Sequence, residues 1–282
     1  MEYKIKNLKL KNRFLLAPML EPNDIAFRLL CKKAGCGLTY TGMTSPLSKQ
    51  KLHLDDKPAL QLFGNSERGV KEFIKKYDKN VSLWDFNLGC PSKLSKKSTH
   101  GAFMHEDFEA IKKILKAMKE STKKPITIKL RKSEYAIEIA KLAEKYVDAI
   151  GIHSRTIQQG YSGEVDYDFA LKLKSSVSVP VIFSGNIDEK NAKKILKDFD
   201  FVFIGRGAIG DPEIFARLIN KTTKIKFADY IKLAKKYKLF FRQVKYQAMN
   251  FTKGLANAKE IRKGLIEAKA IEDIEKAMKT NK

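Results

Sequence analysis

Acidic residues are scarce in this chain. Only 32 Asp and Glu stand against 56 Lys and Arg, which leaves a net charge of +24 over 282 residues. A Lys-rich surface that is merely solvated normally carries balancing acid, as in heat-adapted proteins. Here the balance is missing, which favours a polyanionic partner, a nucleic acid or a membrane surface. Arginine is sparse too, at positions 13, 28, 68, 131, 155, 206, 217, 242 and 262. The charge is therefore mostly lysine, a point charge on phosphate rather than a bidentate reader of bases. Binding is expected to lean on backbone charge and shape. Three cysteines are too few, and too irregularly spaced, for a disulfide scaffold or a zinc framework: Cys31-x₄-Cys36 has no second pair and Cys90 stands apart. No metal site is expected. No apolar run approaches 18 residues, and Met1–Lys6 carries no apolar signal region. These absences argue against a membrane span and for a soluble cytoplasmic protein. No repeat or low-complexity segment stands out beyond the diffuse lysine bias.

What is present is a core-forming chain. Hydrophobic residues make up 43%, enough to exclude wholesale disorder. Short apolar runs alternate with amphipathic stretches, the pattern of βαβ units. Candidate strands are Phe14–Ala17, Leu38–Thr41, Ala59–Phe63, Leu83–Leu88, Ile126–Leu130, Ala149–His153, Val179–Phe183 and Phe201–Ile204. Candidate helices lie between them, over 24–33, 67–77, 108–118, 133–145, 167–174 and 189–197. Eight strands, each followed by a helix, predict a (β/α)₈ TIM barrel, an α/β fold, with a doubly wound sheet as the alternative. The alternation stops near Asn220. Residues 221–282 read as four helices, over 227–241, 243–253, 258–269 and 272–279, and carry 17 basic against 6 acidic residues. The expected organisation is a barrel over residues 1–220 followed by a small, basic, all-helical domain over 221–282.

Polar and glycine residues gather where the candidate strands end. The ends include Ala17-Pro18-Met19, Gln61-Leu62-Phe63-Gly64, Asn87-Leu88-Gly89-Cys90-Pro91, Lys129-Leu130-Arg131 and His153-Ser154-Arg155-Thr156, then Ser184-Gly185-Asn186 and Gly205-Arg206-Gly207. Barrel active sites occupy that face, and the last two loops are where barrels commonly hold phosphate. Glycine lets backbone N–H groups approach such an anion. Cys31 and Cys36 fit buried packing, as most free cysteines do. Cys90 does not, lying between Gly and Pro in a loop. Lys129 ends an otherwise apolar strand, a costly position without an anionic partner. A lone histidine such as His153 is more often a packed rim residue than a catalyst, but Arg155 beside it at the same face raises its interest. Gln61 also breaks an apolar strand, and its amide can pair with a heterocycle edge.

These motifs, in this order, resemble the dihydrouridine synthase family, FMN-dependent enzymes that reduce uridine in tRNA. The resemblance runs over about residues 13–220, and Asn-x-Gly-Cys-Pro together with His-x-Arg-Thr is its specific part. It implies that Pro18 and Met19 lie against the flavin ring. It implies that Gln61 and Lys129 bond its polar edge, with the lysine charge stabilising the reduced anionic flavin. Ser184, Gly185 and Asn186, with Gly205 and Arg206, would hold the FMN phosphate. His153 would border the flavin, and Asn87 and Arg155 the substrate uracil. Cys90 would be the general acid that protonates uracil C5 while hydride from flavin N5 reaches C6. NADPH or NADH would be the reductant. Lys93, Lys96 and Lys97, following Cys90, would meet the RNA backbone, as would the tail, including Lys235, Lys236 and Arg242. The target uridine would have to flip out of folded tRNA to reach the barrel mouth. No protein partner and no membrane are implied.

The chain departs from the family pattern in two places. Ser184-Gly185-Asn186-Ile187 stands where the family usually has Asn-Gly-Asp-Ile, and Leu20-Glu21-Pro22-Asn23-Asp24 where many relatives have a small residue and Gly. The tail does not closely match the bacterial pattern. Two competing readings are a small-molecule flavin oxidoreductase of the dihydroorotate dehydrogenase type, which leaves +24 unexplained, and a non-catalytic RNA-binding barrel, which leaves Cys90, Lys129 and His153 without a task.

Overall fold

A computed structural model describes residues 2–20 and 23–279; Glu21 and Pro22 of the divergent loop, and the end of the tail at 280–282, lie outside the described residues. The chain opens with a short antiparallel hairpin, β1 (Tyr3–Ile5) and β2 (Leu8–Leu10), which the sequence pattern did not indicate. Eight strands follow: β3 (Phe14–Leu16), β4 (Leu38–Thr39), β5 (Ala59–Leu62), β6 (Leu83–Leu88), β7 (Ile126–Arg131), β8 (Ala149–His153), β9 (Val181–Ser184) and β10 (Phe201–Ile204). They pair in parallel in the order β4-β3-β10-β9-β8-β7-β6-β5. Parallel bridges Tyr40–Ala59 and Thr44–Leu62 join β5 to the chain leaving β4, so the sheet closes on itself. This is the expected barrel, with strands within two residues of their expected ends.

Helices α1 (Ile25–Lys33), α2 (Val70–Tyr77), α3 (Lys93–Lys97), α4 (Phe108–Ser121), α5 (Ala136–Ala143), α6 (Tyr167–Ser175), α7 (Ala192–Ile195) and α8 (Ile214–Leu218) surround the barrel. One expectation fails: β4 is not followed by a helix. Residues 40–58 run as turns and irregular chain, with the bridges at Tyr40 and Thr44. Pro46 and the polar stretch Ser48-Lys49-Gln50-Lys51 offer no apolar stripe at helical spacing to bury.

Strand alternation sorts the core into two layers. Leu15, Ala59, Leu83, Ala149, Ile182, Phe201 and Phe203 point inward and form one buried cluster, with Ile5 and Leu10 of the hairpin closing the N-terminal end. Leu16, Leu60, Phe86, Ile128, Ile150, Phe183, Val202 and Ile204 point outward under the helices. The inward parity continues upward through Gln61, Asp85, Asn87, Thr127, Lys129 and Ser184, so the interior changes from apolar to polar toward the strand C-termini.

The tail forms α9 (Phe227–Lys236), α10 (Phe241–Phe251), α11 (Ala258–Glu267) and α12 (Ile271–Lys279). Its buried residues Tyr230, Ala234, Val244, Ala248 and Leu265 join the same cluster as the outer barrel layer. A polar clasp adds to this. Asp24 caps α1 by accepting the Phe27 N–H at 2.9 Å, and its other oxygen accepts from Gln247 at 3.1 Å and from the Tyr230 hydroxyl at 3.3 Å. Gly210, at φ +80°, lets α10 approach: a Cβ there would lie 2.2 Å from the Asn250 carbonyl oxygen.

Candidate active site

The polar end of the barrel opens into a cavity of about 1140 Å³. Strand pairing sets its walls. Gln61 lies beside Asp85, Asp85 beside Thr127, Asn87 beside Lys129, Arg131 beside His153 and His153 beside Ser184. Pro18, Met19, Gln61, Asn87, Cys90, Lys129, His153, Arg155, Ser184, Gly185, Asn186, Gly205 and Arg206 all line this one cavity. The lysines expected at RNA do not. Lys93, Lys96 and Lys97 are exposed on and beside α3, which starts three residues after Cys90. Lys235, Lys236 and Arg242 are exposed on the tail, and Lys235 is ion-paired to Glu275 at 2.8 Å.

Cys90 is the half-buried cysteine; Cys31 and Cys36 are buried, as expected for packing. Its loop is held from below and from the side. Asn87 Oδ1 accepts the N–H of Cys90 at 3.0 Å and of Gly89 at 3.2 Å, and Cys90 O accepts the Ala102 N–H at 3.2 Å.

The cavity is cationic. Burial and the neighbouring Arg131 bring the Lys129 ammonium down to about 8. His153 is held between two guanidinium groups, with Nδ1 3.3 Å from Arg131 and Nε2 3.1 Å from Arg155. Guanidinium only donates and a neutral imidazole has a single acceptor nitrogen, so the neutral ring accepts from one of the two arginines while its other nitrogen carries the proton. Burial, with Lys129, Arg131, Arg155 and Arg206 around it, pushes its pKa down to about 2. Such a ring does not shuttle protons at neutral pH.

The turn after β9 is built for close approach. Gly185 has φ +124°, and a Cβ there would lie 2.5 Å from Val165 and 3.0 Å from the His153 ring. Asn186 follows in the left-handed region at φ +49°; its side chain accepts from Arg206 at 3.1 Å and its carbonyl accepts from Asn191 at 2.7 Å. Asn186 thus joins the two candidate phosphate loops.

Arg155 is 1% exposed and bonds within its own loop, donating from Nε to the carbonyls of Ser162 and Gly163 at 3.0 Å. Two residues escaped the sequence reading. Arg131 is buried and donates to the carbonyls of Gly89 at 2.7 Å, Thr156 at 3.0 Å and Gly160 at 2.8 Å, tying the Cys90 loop to the loop after β8. It shares the inward parity of Lys129, and the argument that singled out Lys129, a charge at the end of an apolar strand, applies two residues on. Tyr161 is 60% exposed at the mouth, with the Arg131 guanidinium 5.6 Å from its ring centre. No strand or motif marks it; only the fold of the loop brings it to the cavity.

A closed parallel barrel with a cation-lined cavity, two glycine turns and a thiol at its C-terminal mouth is a (β/α)₈-barrel enzyme of the kind that holds a phosphorylated ligand. Comparison with known sequences narrows this. The profile of the family described as Dihydrouridine synthase (Dus) matches residues 15–280, and the chain belongs to that family. The match takes in the helical tail as well as the barrel, further than the motifs alone reach. The tRNA-dihydrouridine synthase B of Pasteurella multocida (strain Pm70) is 32% identical over 235 residues, 75% of this chain and 70% of that protein. A probable tRNA-dihydrouridine synthase of Rickettsia conorii (strain ATCC VR-613 / Malish 7) is 33% identical, covering 76% and 72%. Among solved structures, a 2-naphthoyl-CoA reductase aligns with a TM-score of 0.59 at 14% identity over 78% of this chain and 51% of that one. Morphinone reductase aligns with 0.55 at 12% identity over 82% and 93%. These two likenesses establish the barrel fold.

Proposed function

We propose that this protein is a tRNA-dihydrouridine synthase that reduces the C5=C6 bond of a uridine in tRNA, with Cys90 as the proton donor. The observation that carries this reading is the convergence of the Asn87-anchored Cys90 loop, Lys129 and the Gly185–Arg206 phosphate turns on one cavity. The donor set fits FMN. Lys129 and Gln61 would hold the polar edge of the flavin, Pro18 and Met19 its face, and Arg206 with the Ser184–Asn186 turn its phosphate. FMN, when bound, supplies the hydride for uracil C6 after reduction by NADPH or NADH. Cys90 gives its thiol proton to C5 from the other side of the base. Arg131 fixes the carbonyl of Gly89 and so the loop on which the thiol rides. Tyr161 offers an open aromatic face to a base extruded into the mouth.

Residues 1–220 act as the catalytic barrel and residues 221–282 as a basic RNA grip. Lys93, Lys96, Lys97, Lys236 and Arg242 supply phosphate contacts, and Lys235 shares its charge with Glu275. Among the described residues no helix is long and apolar enough to cross a membrane, and the enzyme works in the cytoplasm beside its tRNA. The test is to purify the protein, look for released FMN on denaturation, and assay dihydrouridine in tRNA beside orotate reduction. Flavin with tRNA reduction is the expected result. Turnover of orotate alone moves the protein to the small-molecule class, and a colourless protein that FMN does not reconstitute removes the flavin.

A further inference from the structure

Beneath the cavity, behind Gln61, lies a buried carboxylate that the reaction described above does not use. Asp85 lies mid-way along β6, points into the barrel and is 0% exposed. Its Oδ1 accepts from the Thr127 hydroxyl at 2.5 Å and its Oδ2 from Gln61 Nε2 at 2.6 Å. Gln61 Oε1 in turn accepts from Asn87 Nδ2 at 2.8 Å. Asn87 Oδ1 then accepts the N–H groups of Cys90 and Gly89. Three neighbouring strands thus carry one unbroken line of hydrogen bonds from the barrel floor to the backbone of the reactive thiol.

The line has a direction. An ionised carboxylate only accepts, so Gln61 must turn its NH₂ toward Asp85 and its carbonyl toward Asn87. Asn87 must then give its NH₂ to Gln61 and its carbonyl to the Cys90 loop. Neither amide has an intrinsic preference between its two orientations. A flipped Asn87 would aim its NH₂ at two backbone N–H groups and release the loop. Burying a carboxylate in an apolar barrel is costly. Burial pushes Asp85 up to about 7, with Thr127, Gln61 and the Lys129 charge drawing it back. A neutral acceptor–donor side chain at 85 would avoid that cost but would leave the polarity of the line to the Gly89 and Cys90 N–H groups alone.

The geometry points to Asp85 as a positioning residue that sets the polarity of the Gln61–Asn87 relay and through it the placement of the Cys90 loop. The inference rests on the reading of Cys90 as proton donor. Its test is independent of turnover. Cys31 and Cys36 are buried, so alkylation of the native full-length protein with iodoacetamide, located by peptide mapping, reads Cys90. Asp85→Asn keeps the shape at 85 and removes its directing charge. Cys90 alkylation should rise roughly threefold to tenfold, the increase in loop opening expected from one lost hydrogen bond. Adding Gln61→Glu moves the carboxylate one step along the line: the amide at 85 donates to it, and it accepts from Asn87 as before. The double variant should return the rate to within about twofold of the parent, a coupling that independent sites would not show.

If Asp85→Asn does not fold, Gln61→Met cuts the same line without removing the buried charge and should raise the rate alike. Unchanged Cys90 reactivity in whichever of these single variants folds, or no recovery in the double variant, overturns the inference. A relay that behaves as described in a protein that never reduces tRNA would instead count against the proposed function.

Discussion

Replacing Cys90 with alanine removes one thiol and leaves the cations of the cavity in place. Uridine reduction in tRNA should fall by roughly 10²–10⁴-fold, the range for a lost general acid, with flavin content and nicotinamide oxidation nearly intact. A normal rate of dihydrouridine formation would move the proton to another group. Lys129 carries a pH signature. Its ammonium, drawn down to about 8 by burial and Arg131, is charged below that value and neutral above it. FMN association with the flavin-free protein should therefore weaken as pH rises through 8 and beyond, because the cation facing the ring's polar edge is lost. Lys129→Met should bind FMN weaker by roughly 10- to 100-fold, as for a lost hydrogen bond from a charged donor, and its affinity should be flat across that range. Fluorescence titration of FMN at several pH values reads both. Cys90 and Lys129 were legible because each breaks its local pattern, a thiol between Gly and Pro and a charge at the end of an apolar strand. Arg155 was legible as a motif but not in its bonding, since its partners at Ser162 and Gly163 depend on how the following loop folds back.

Among the elements, the clasp between α1 and the tail is the most exposed to a single change. Asp24 both caps α1 and receives Tyr230 and Gln247 from α9 and α10. Asp24→Ala should cost about 2–4 kcal/mol, the lost cap added to a polar pair left buried without its acceptor. Urea denaturation measures the loss. Hydrogen exchange should show α9 and α10 opening before the barrel strands. Equal exchange throughout would mean that apolar packing alone holds the tail. The barrel strands were readable from their apolar runs. The β1–β2 hairpin was not, because its strands are three residues each and Lys alternates through them. A helix after β4 was expected only from the regularity of the other βα units, and the residues there do not support one.

For the whole molecule, the charge of +24 should appear as a steep salt dependence of tRNA binding. Neutralising Lys93, Lys96 and Lys97 together, all exposed beside the mouth, should flatten the slope of log affinity against log salt by about 0.7–0.9 for each phosphate left without its lysine. Flavin binding should not change. An unchanged slope would place the RNA against other lysines. The tail's charges divide more finely than its composition suggests. Lys245 donates to the carbonyls of Ile266 and Ala268 at the end of α11, at 2.8 and 3.1 Å, so it braces the helices of the tail.

The sequence by itself marked the eight strands, favoured the barrel over a doubly wound sheet, and gathered Cys90, Lys129 and the glycine turns at the face where the strands end in polar residues. All of these are local: a period of two, a turn glycine, a residue out of keeping with its neighbours. Tertiary structure decided which residues meet across strands. The register places Gln61, Asp85 and Thr127 side by side although 24 and 42 residues separate the bonded pairs. It also brings Gln247 to Asp24 across 223 residues. No pattern within a single strand or helix encodes such pairs, because the partner of a polar group is fixed by how the barrel closes and how the helices dock on it.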